Sequence, residues 1–142
     1  MFRILVKYFG DVEHIEQNEK GDMIDLRVAE DVEMKQGEVR ALPLGVAMQL
    51  PDGFEAHVYP RSSTALKHGI LMANGVGVID CSYRGDNDQW HFIAYAIRDT
   101  KIEKNTRIAQ FRLIRNQRKS VFEGVEMLGN DDRGGIGSTG EK

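Results

Sequence analysis

Three stretches of the chain gather residue types that do chemistry. In residues 74–86, an Asn74-Gly75 pair marks a tight turn. The residues Val76, Val78 and Ile79 then read as a strand, and the strand ends on Asp80. A carboxylate at the end of an apolar strand, at the mouth of a pocket and partly desolvated, can serve as a general base. In a plain turn the same carboxylate would only accept bonds from nearby backbone N–H groups. In residues 61–69 the order Arg61-Ser62-Ser63-Thr64 leads into a short helical pattern ending at Gly69. Ser62 or Ser63 would cap it, Gly69 suits the residue past its end, and Pro60 keeps the preceding residue extended. A helix start with an arginine beside it attracts anions, although an ordinary capped helix with a solvated arginine has the same sequence. In residues 131–142, Arg133 precedes Gly134, Gly135, Ile136, Gly137, Ser138, Thr139 and Gly140. Glycines let backbone N–H groups approach phosphate closely, and the serine and threonine hydroxyls add donors. Such a terminus is expected to be mobile when free.

These residues must be held by strands. Residues 4–8, 22–28, 54–59, 90–97 and 108–114 are β-branched or aromatic runs, and residues 32–49 alternate around Gly37, Pro43 and Gly45. Residues 10–21 are polar and acidic and read as loop, and Pro51-Asp52-Gly53 reads as a turn. Short strands separated by closely spaced turn signals predict an all-β sandwich or barrel, interrupted by one short helix at 61–69.

A length of 142 residues suits one domain with a sizeable core. The chain carries 19 Lys+Arg against 22 Asp+Glu, a net charge of −3 that argues against broad nucleic-acid binding. No stretch approaches the roughly 20 apolar residues of a membrane span, and the first residues are too short and charged a run for a signal peptide. Cys81, the single cysteine, rules out an internal disulfide and fits a reducing cytoplasm. With one cysteine and four scattered histidines, no zinc site is visible.

Taken together, the stretches resemble the trimeric all-β dUTPases, the deoxyuridine triphosphate nucleotidohydrolases, over residues 25–140. Five ordered motifs carry the resemblance: Asp25-Leu26 with Ala29; Pro60-Arg61-Ser62-Ser63 with Lys67-His68-Gly69-Ile70; Asn74 and Gly77-Val78-Ile79-Asp80 with Tyr83-Arg84-Gly85; Arg107-Ile108-Ala109-Gln110; and Arg133 through Gly140. Each alone is weak, and five in order at compatible spacing are specific. The resemblance implies a distorted jelly-roll-like barrel assembling as a homotrimer. A β domain over residues 1–130 would be followed by a mobile glycine-rich arm, 131–142, closing over a site shared between subunits. It implies hydrolysis of dUTP to dUMP and diphosphate with Mg²⁺. Asp80 would activate the water that attacks the α-phosphorus, and Asp25 would hold a water of the magnesium shell. Arg61, Ser62, Ser63 and Gln110 would bind phosphates. Tyr83 would lie under the deoxyribose, where a 2′-hydroxyl would clash. Asn74 and the backbone near Val78 and Ile79 would read uracil, and Arg133, Gly135, Ile136, Gly137, Ser138 and Thr139 would wrap the substrate.

Two departures from the family pattern stand out. Asp22-Met23 occupies the place of a small Ala-Gly pair, and Ile136 stands where an aromatic residue usually covers the uracil. The stretch between Gly85 and Ile93 is slightly long and carries Trp90 and Phe92, so Phe92, with Trp90 second, is a candidate for a relocated aromatic lid; a place in the strand's core is the competing expectation. The related dCTP deaminases share the fold but need a catalytic glutamate and an altered third motif, where this chain has Asp80 and Tyr83. A nucleotide-sensing interaction protein, using residues 86–90, is the alternative from outside enzymology.

Overall fold

A computed structural model describes all of residues 1–142. Eleven strands and one helix follow in order: β1 Leu5–Tyr8, β2 Ile24–Arg27, β3 Val32–Met34, β4 Val39–Pro43, β5 Val46–Gln49, β6 Phe54–Pro60, α1 Thr64–His68, β7 Ile70–Met72, β8 Gly77–Ile79, β9 His91–Ala96, β10 Thr100–Ile102 and β11 Arg107–Arg115. The expected strands are present with ends shifted: β1, β2 and β9 are shorter than expected, and β6 and β11 are longer. Strands β7 and β10 escape a reading by pattern because three residues are too few to display alternation.

The strands form four small sheets ordered β1-β5, β10-β3, β2-β11-β6-β8 and β4-β9-β7. The architecture is all-β and jelly-roll-like, but the sheets do not close into a continuous barrel. The longest pairing joins β6 and β11 antiparallel, with Ala109 opposite Pro60 and Arg115 opposite Phe54. Strand β2 lies on the other edge of β11, with Asp25 opposite Gln110. Strand β8 lies on the other edge of β6, with Ile79 opposite Ala56.

Alternation along these strands builds one core. Ala56 and Val58 of β6, Leu26 of β2 and Phe111 of β11 face Leu42 of β4, Ile70 of β7 and Phe92 of β9 within a single cluster. Trp90 meets Phe111 edge-to-face at 5.2 Å between ring centroids, which suits the opposed charge of ring faces and edges. The Trp90 indole N–H is buried without a hydrogen-bond partner.

The burial corrects two expectations. Phe92 and Trp90 are each 0% exposed, so neither can cover a bound base. Strand alternation turns Phe92 inward together with Ala94 and Ala96, and the competing core reading of the segment holds. Strand β11 stops at Arg115, and every later residue is exposed without strand or helix. The apolar Val121, Phe122, Met127 and Leu128 look like body residues in sequence, yet Phe122 is 91% exposed. Asn116 roots this long segment by donating its N–H to Gly53 O at 2.9 Å. No helix is long and apolar enough to cross a membrane.

Truncation of a buried phenylalanine loses transfer energy and leaves a cavity. Phe92→Ala is therefore expected to lower stability by about 3–5 kcal/mol, and the folded fraction should keep its substrate KM. A melting curve and a Michaelis curve on one preparation check both parts.

Candidate active site

The β2-β11-β6 ladder gathers one group of chemical residues. Asp25 sits mid-strand in β2, level with Gln110 of β11, which is level with Tyr59 of β6. One residue beyond β6, Arg61 sends its Nε to 3.1 Å from an Asp25 carboxylate oxygen. Arg107, at the start of β11, brings Nη1 to 3.6 Å from the other oxygen. Gln110 donates its side-chain amide to Pro60 O at 3.1 Å. A largely buried carboxylate thus lies between two guanidiniums, and each guanidinium retains donors for further anions. Beside this group, a cleft of about 360 Å³ is lined by Asp25, Arg27, Arg107 and the 16–20 loop, with no apolar residue among its walls. Its walls carry three carboxylates, Glu16, Glu19 and Asp25, against three cations, Lys20, Arg27 and Arg107, so the cleft is polar without a net sign.

The helix beside Arg61 is shorter than the sequence implies. It spans Thr64–His68, with Ser63 at the cap position but making no side-chain capping bond. Its single turn and a half leaves little dipole, so the positive charge at this end of β6 is that of the Arg61 guanidinium. Gly69 closes the helix at φ 64°. A side chain there would also strike Arg98, whose Cγ would lie 2.8 Å from an added Cβ. Arg98 donates to Leu66 O at 2.9 Å and the Thr100 hydroxyl donates to His68 O at 2.6 Å, so two of the carbonyls the helix leaves free find side-chain donors.

A second group forms at the other end of the sheet. Asp80 follows β8 and is exposed. It accepts the Ser82 N–H at 2.8 Å. That backbone bond, with a further one from the Ser82 side chain, holds its carboxyl below the ordinary value of 3.8. The expectation of a partly desolvated carboxylate is corrected: within one chain Asp80 is open to solvent, and the turn bonding weighed against it is present. Tyr83 donates its hydroxyl to Gln89 O at 3.0 Å, which fixes a ring that remains partly exposed. Asn74 is exposed in the turn before β8. Val78 and Ile79 lie on β8, an edge strand whose outer backbone groups have no strand partner.

The sheet register keeps the two groups apart. Ile79 pairs with Ala56, whereas Arg61 lies past the far end of the same strand. At a rise of about 3.3 Å per residue, Asp80 and Arg61 of one chain are roughly 20 Å apart. Arg133, Gly135, Ile136, Gly137, Ser138 and Thr139 form a third group, all exposed. Turns join Ser138 N to Gly135 O and Gly140 N to Gly137 O, each at 3.1 Å. Sequence reasoning placed no role on Arg107 or Thr64, although both lie within or beside the quoted motifs.

Burial is the largest influence on His68, and the charges of Lys67, Arg61 and Arg98 add to it; all lower its pKa from the ordinary 6.5. The unfolded chain therefore takes up the proton first. The stability that neutral His68 contributes is present above pH 6.5 and is lost as pH falls through the folded-state value. His68→Gln should accordingly show a smaller fall in Tm than wild type between about pH 7.5 and 5.5. Parallel slopes for the two proteins would contradict this.

Comparison with known proteins accords with this geometry. A family model described as dUTPase matches residues 12–140. The chain is 54% identical to the SPbeta prophage-derived deoxyuridine 5'-triphosphate nucleotidohydrolase YosS of Bacillus subtilis (strain 168), over 99% of this chain and 99% of that protein. Among solved structures it is similar in fold to a mutant dUTPase of Staphylococcus bacteriophage 80alpha with dUpNHpp. The TM-score is 0.81 at 19% identity, over 99% of this chain and all of the other. It is similar also to a mutant dUTPase from phage phi11 of S. aureus that coordinates a structural Mg(II) ion, with TM-score 0.76 at 16% identity over 89% and 99% of the two chains. This chain belongs to the dUTPase family.

Proposed function

We propose that this chain hydrolyses dUTP to dUMP and diphosphate, with Asp80 as the general base, in a site assembled from more than one copy of the chain. The observation that carries the reading is its similarity, over nearly its whole length, to a relative named for that activity. The roughly 20 Å between Asp80 and Arg61 supports sharing: no single α-phosphorus can meet both groups of one chain. A homotrimer brings the Asp80 end of one subunit to the Arg61 end of its neighbour. The exposed arm of a subunit then closes over the pair.

In this reading Asp80 accepts a proton from the water that attacks the α-phosphorus. The bond from that phosphorus to the oxygen bridging to the β-phosphate breaks, and diphosphate leaves. Arg61, Ser62, Ser63 and Gln110 hold phosphate oxygens, with Gln110 also steadying Pro60. Tyr83, fixed through Gln89, lies against the deoxyribose. Asn74 and the free edge of β8 at Val78 and Ile79 read uracil, a rigid backbone readout that rejects cytosine. With Phe92 and Trp90 in the core, Ile136 of the arm covers the base. Arg133, Gly135, Gly137, Ser138 and Thr139 supply donors around the triphosphate.

The residues present fit Mg²⁺ that takes its ligands from phosphate and water. No group of three or more His, Cys, Asp or Glu side chains gathers to hold a metal, and Asp25 offers one carboxylate among guanidiniums. Mg²⁺ bound with the triphosphate would neutralise charge on its oxygens, and Asp25 would accept a bond from one of its waters.

The Ser82 bonds hold the Asp80 carboxyl below its ordinary 3.8, so the acid loss of kcat/KM should lie lower than for an unshifted aspartate base. Asp80→Asn keeps the shape and removes the base. Turnover of dUTP should fall by about 10²–10⁴-fold or more while substrate binding persists. Hydrolysis assays on dUTP and dCTP with product identification test the reading. Near wild-type kcat in Asp80→Asn would remove Asp80 as the base, and release of ammonia from dCTP would assign the chain to deamination instead.

A further inference from the structure

We infer that Thr64 is a positioning residue for the reaction, its hydroxyl clipping the phosphate-facing turn at Arg61 to the strand that carries Arg107 and Gln110. The inference rests on the phosphate-binding reading of Arg61. Thr64 is the one polar residue in the chain's fully buried set, at 0% exposure. Its hydroxyl oxygen accepts the Arg61 backbone N–H at 3.0 Å and donates to Ile108 O at 2.7 Å. Its own N–H donates to Arg61 O at 3.0 Å. One side chain thus uses both hydrogen-bonding capacities on backbone atoms of two motif stretches that lie far apart in sequence.

The placement matters because of what hangs from those atoms. The Arg61 peptide N–H is fixed by Thr64, and the carbonyl before it, Pro60 O, is fixed by Gln110. The Arg61 guanidinium and the hydroxyls of Ser62 and Ser63 therefore project from a turn held at both sides against β11. The direct bond from Arg61 N to Ile108 O is long, at 3.4 Å, so the hydroxyl between them is the shorter and stronger link. Without it, Ile108 O keeps only that long contact in a buried setting, and the turn gains freedom where phosphate must be held to within a fraction of an ångström. The five-residue helix is too short to locate the turn by itself.

The test compares Thr64→Val, which keeps shape and loses the hydroxyl, with Thr64→Ser, which keeps the hydroxyl, and with Arg61→Gln. Leu42→Val, in the core of the β4-β9-β7 sheet, is a control for lost stability alone. Each protein is assayed for Tm, for kcat and KM with dUTP, and for the Kd of a non-hydrolysable imido analogue of dUTP. Thr64→Val is expected to lose kcat/KM on the order of 10²-fold and to bind the analogue more weakly, with Thr64→Ser returning both close to wild type. Leu42→Val should lose Tm with kcat/KM and Kd unchanged. If Thr64→Val does not fold, Thr64→Cys replaces it, since a thiol is a weaker hydrogen bonder. A Thr64 variant that loses Tm but keeps kcat/KM and Kd, while Arg61→Gln loses both, overturns the positioning role alone. Unchanged binding and turnover in Arg61→Gln overturns the phosphate reading on which it rests.

Discussion

The antiparallel pairing of β6 with β11 is the constraint on which the rest depends. Its register, from Ala109 opposite Pro60 to Arg115 opposite Phe54, turns two sequence motifs into neighbours. Arg61 leaves one end of β6 just where Arg107 through Gln110 begin β11. A slip of β11 by one residue would exchange its core and solvent faces. It would bury Arg112 and expose Phe111, which Trp90 meets edge-to-face. The hydrophobic alternation that makes the core therefore also sets the geometry of the charged site at its end. The same strand carries β8 on its other edge, so the register that joins Asp25, Arg61 and Gln110 also holds Asp80 away from them.

The charges around Asp25 explain how a carboxylate and two arginines persist in one small volume. Arg61 and Arg107 each approach one oxygen of Asp25, and Arg27 is engaged by Glu13 at 3.0 Å. The pairs are partly exposed, where an ion pair contributes about 0–1 kcal/mol. Their value lies in orientation rather than stability. They keep Arg107 at the wall of the polar cleft and Arg61 on the other side of Asp25.

The sequence revealed motifs more readily than their distances. The strands at 54–60 and 91–96 declare themselves by alternation and β-branched content, and the Asn74-Gly75 pair fixes the turn before β8. Strands β7 and β10 have too few residues to alternate, and form because β9 and β3 offer them edges. Phe92 illustrates a harder limit. Its aromatic character suits a lid or a core equally, and only the phase of β9, with Ala94 and Ala96 also facing inward, decides between them. Phe122, Met127 and Leu128 show the converse: they have core composition, yet no strand of this chain carries them inward. Thr64 gave no signal beyond standing next to Ser63, because its importance lies in reaching Ile108 across the fold.

Asp80 and Arg61 of one chain lie too far apart for one α-phosphorus to meet both, and subunit mixing asks whether a working site draws on more than one chain. A chain ending at Asn130 keeps Asp80 but lacks Arg133 and the glycine-rich arm. A full-length Asp80→Asn chain keeps the arm but lacks the base. Each alone is expected to be nearly inactive toward dUTP. Mixed assemblies, verified by mass, should regain activity, because an intact Asp80 from one chain can then meet an intact arm from another. Verified mixed assemblies that stay as inactive as their parents would contradict the claim and return base and arm to a single chain.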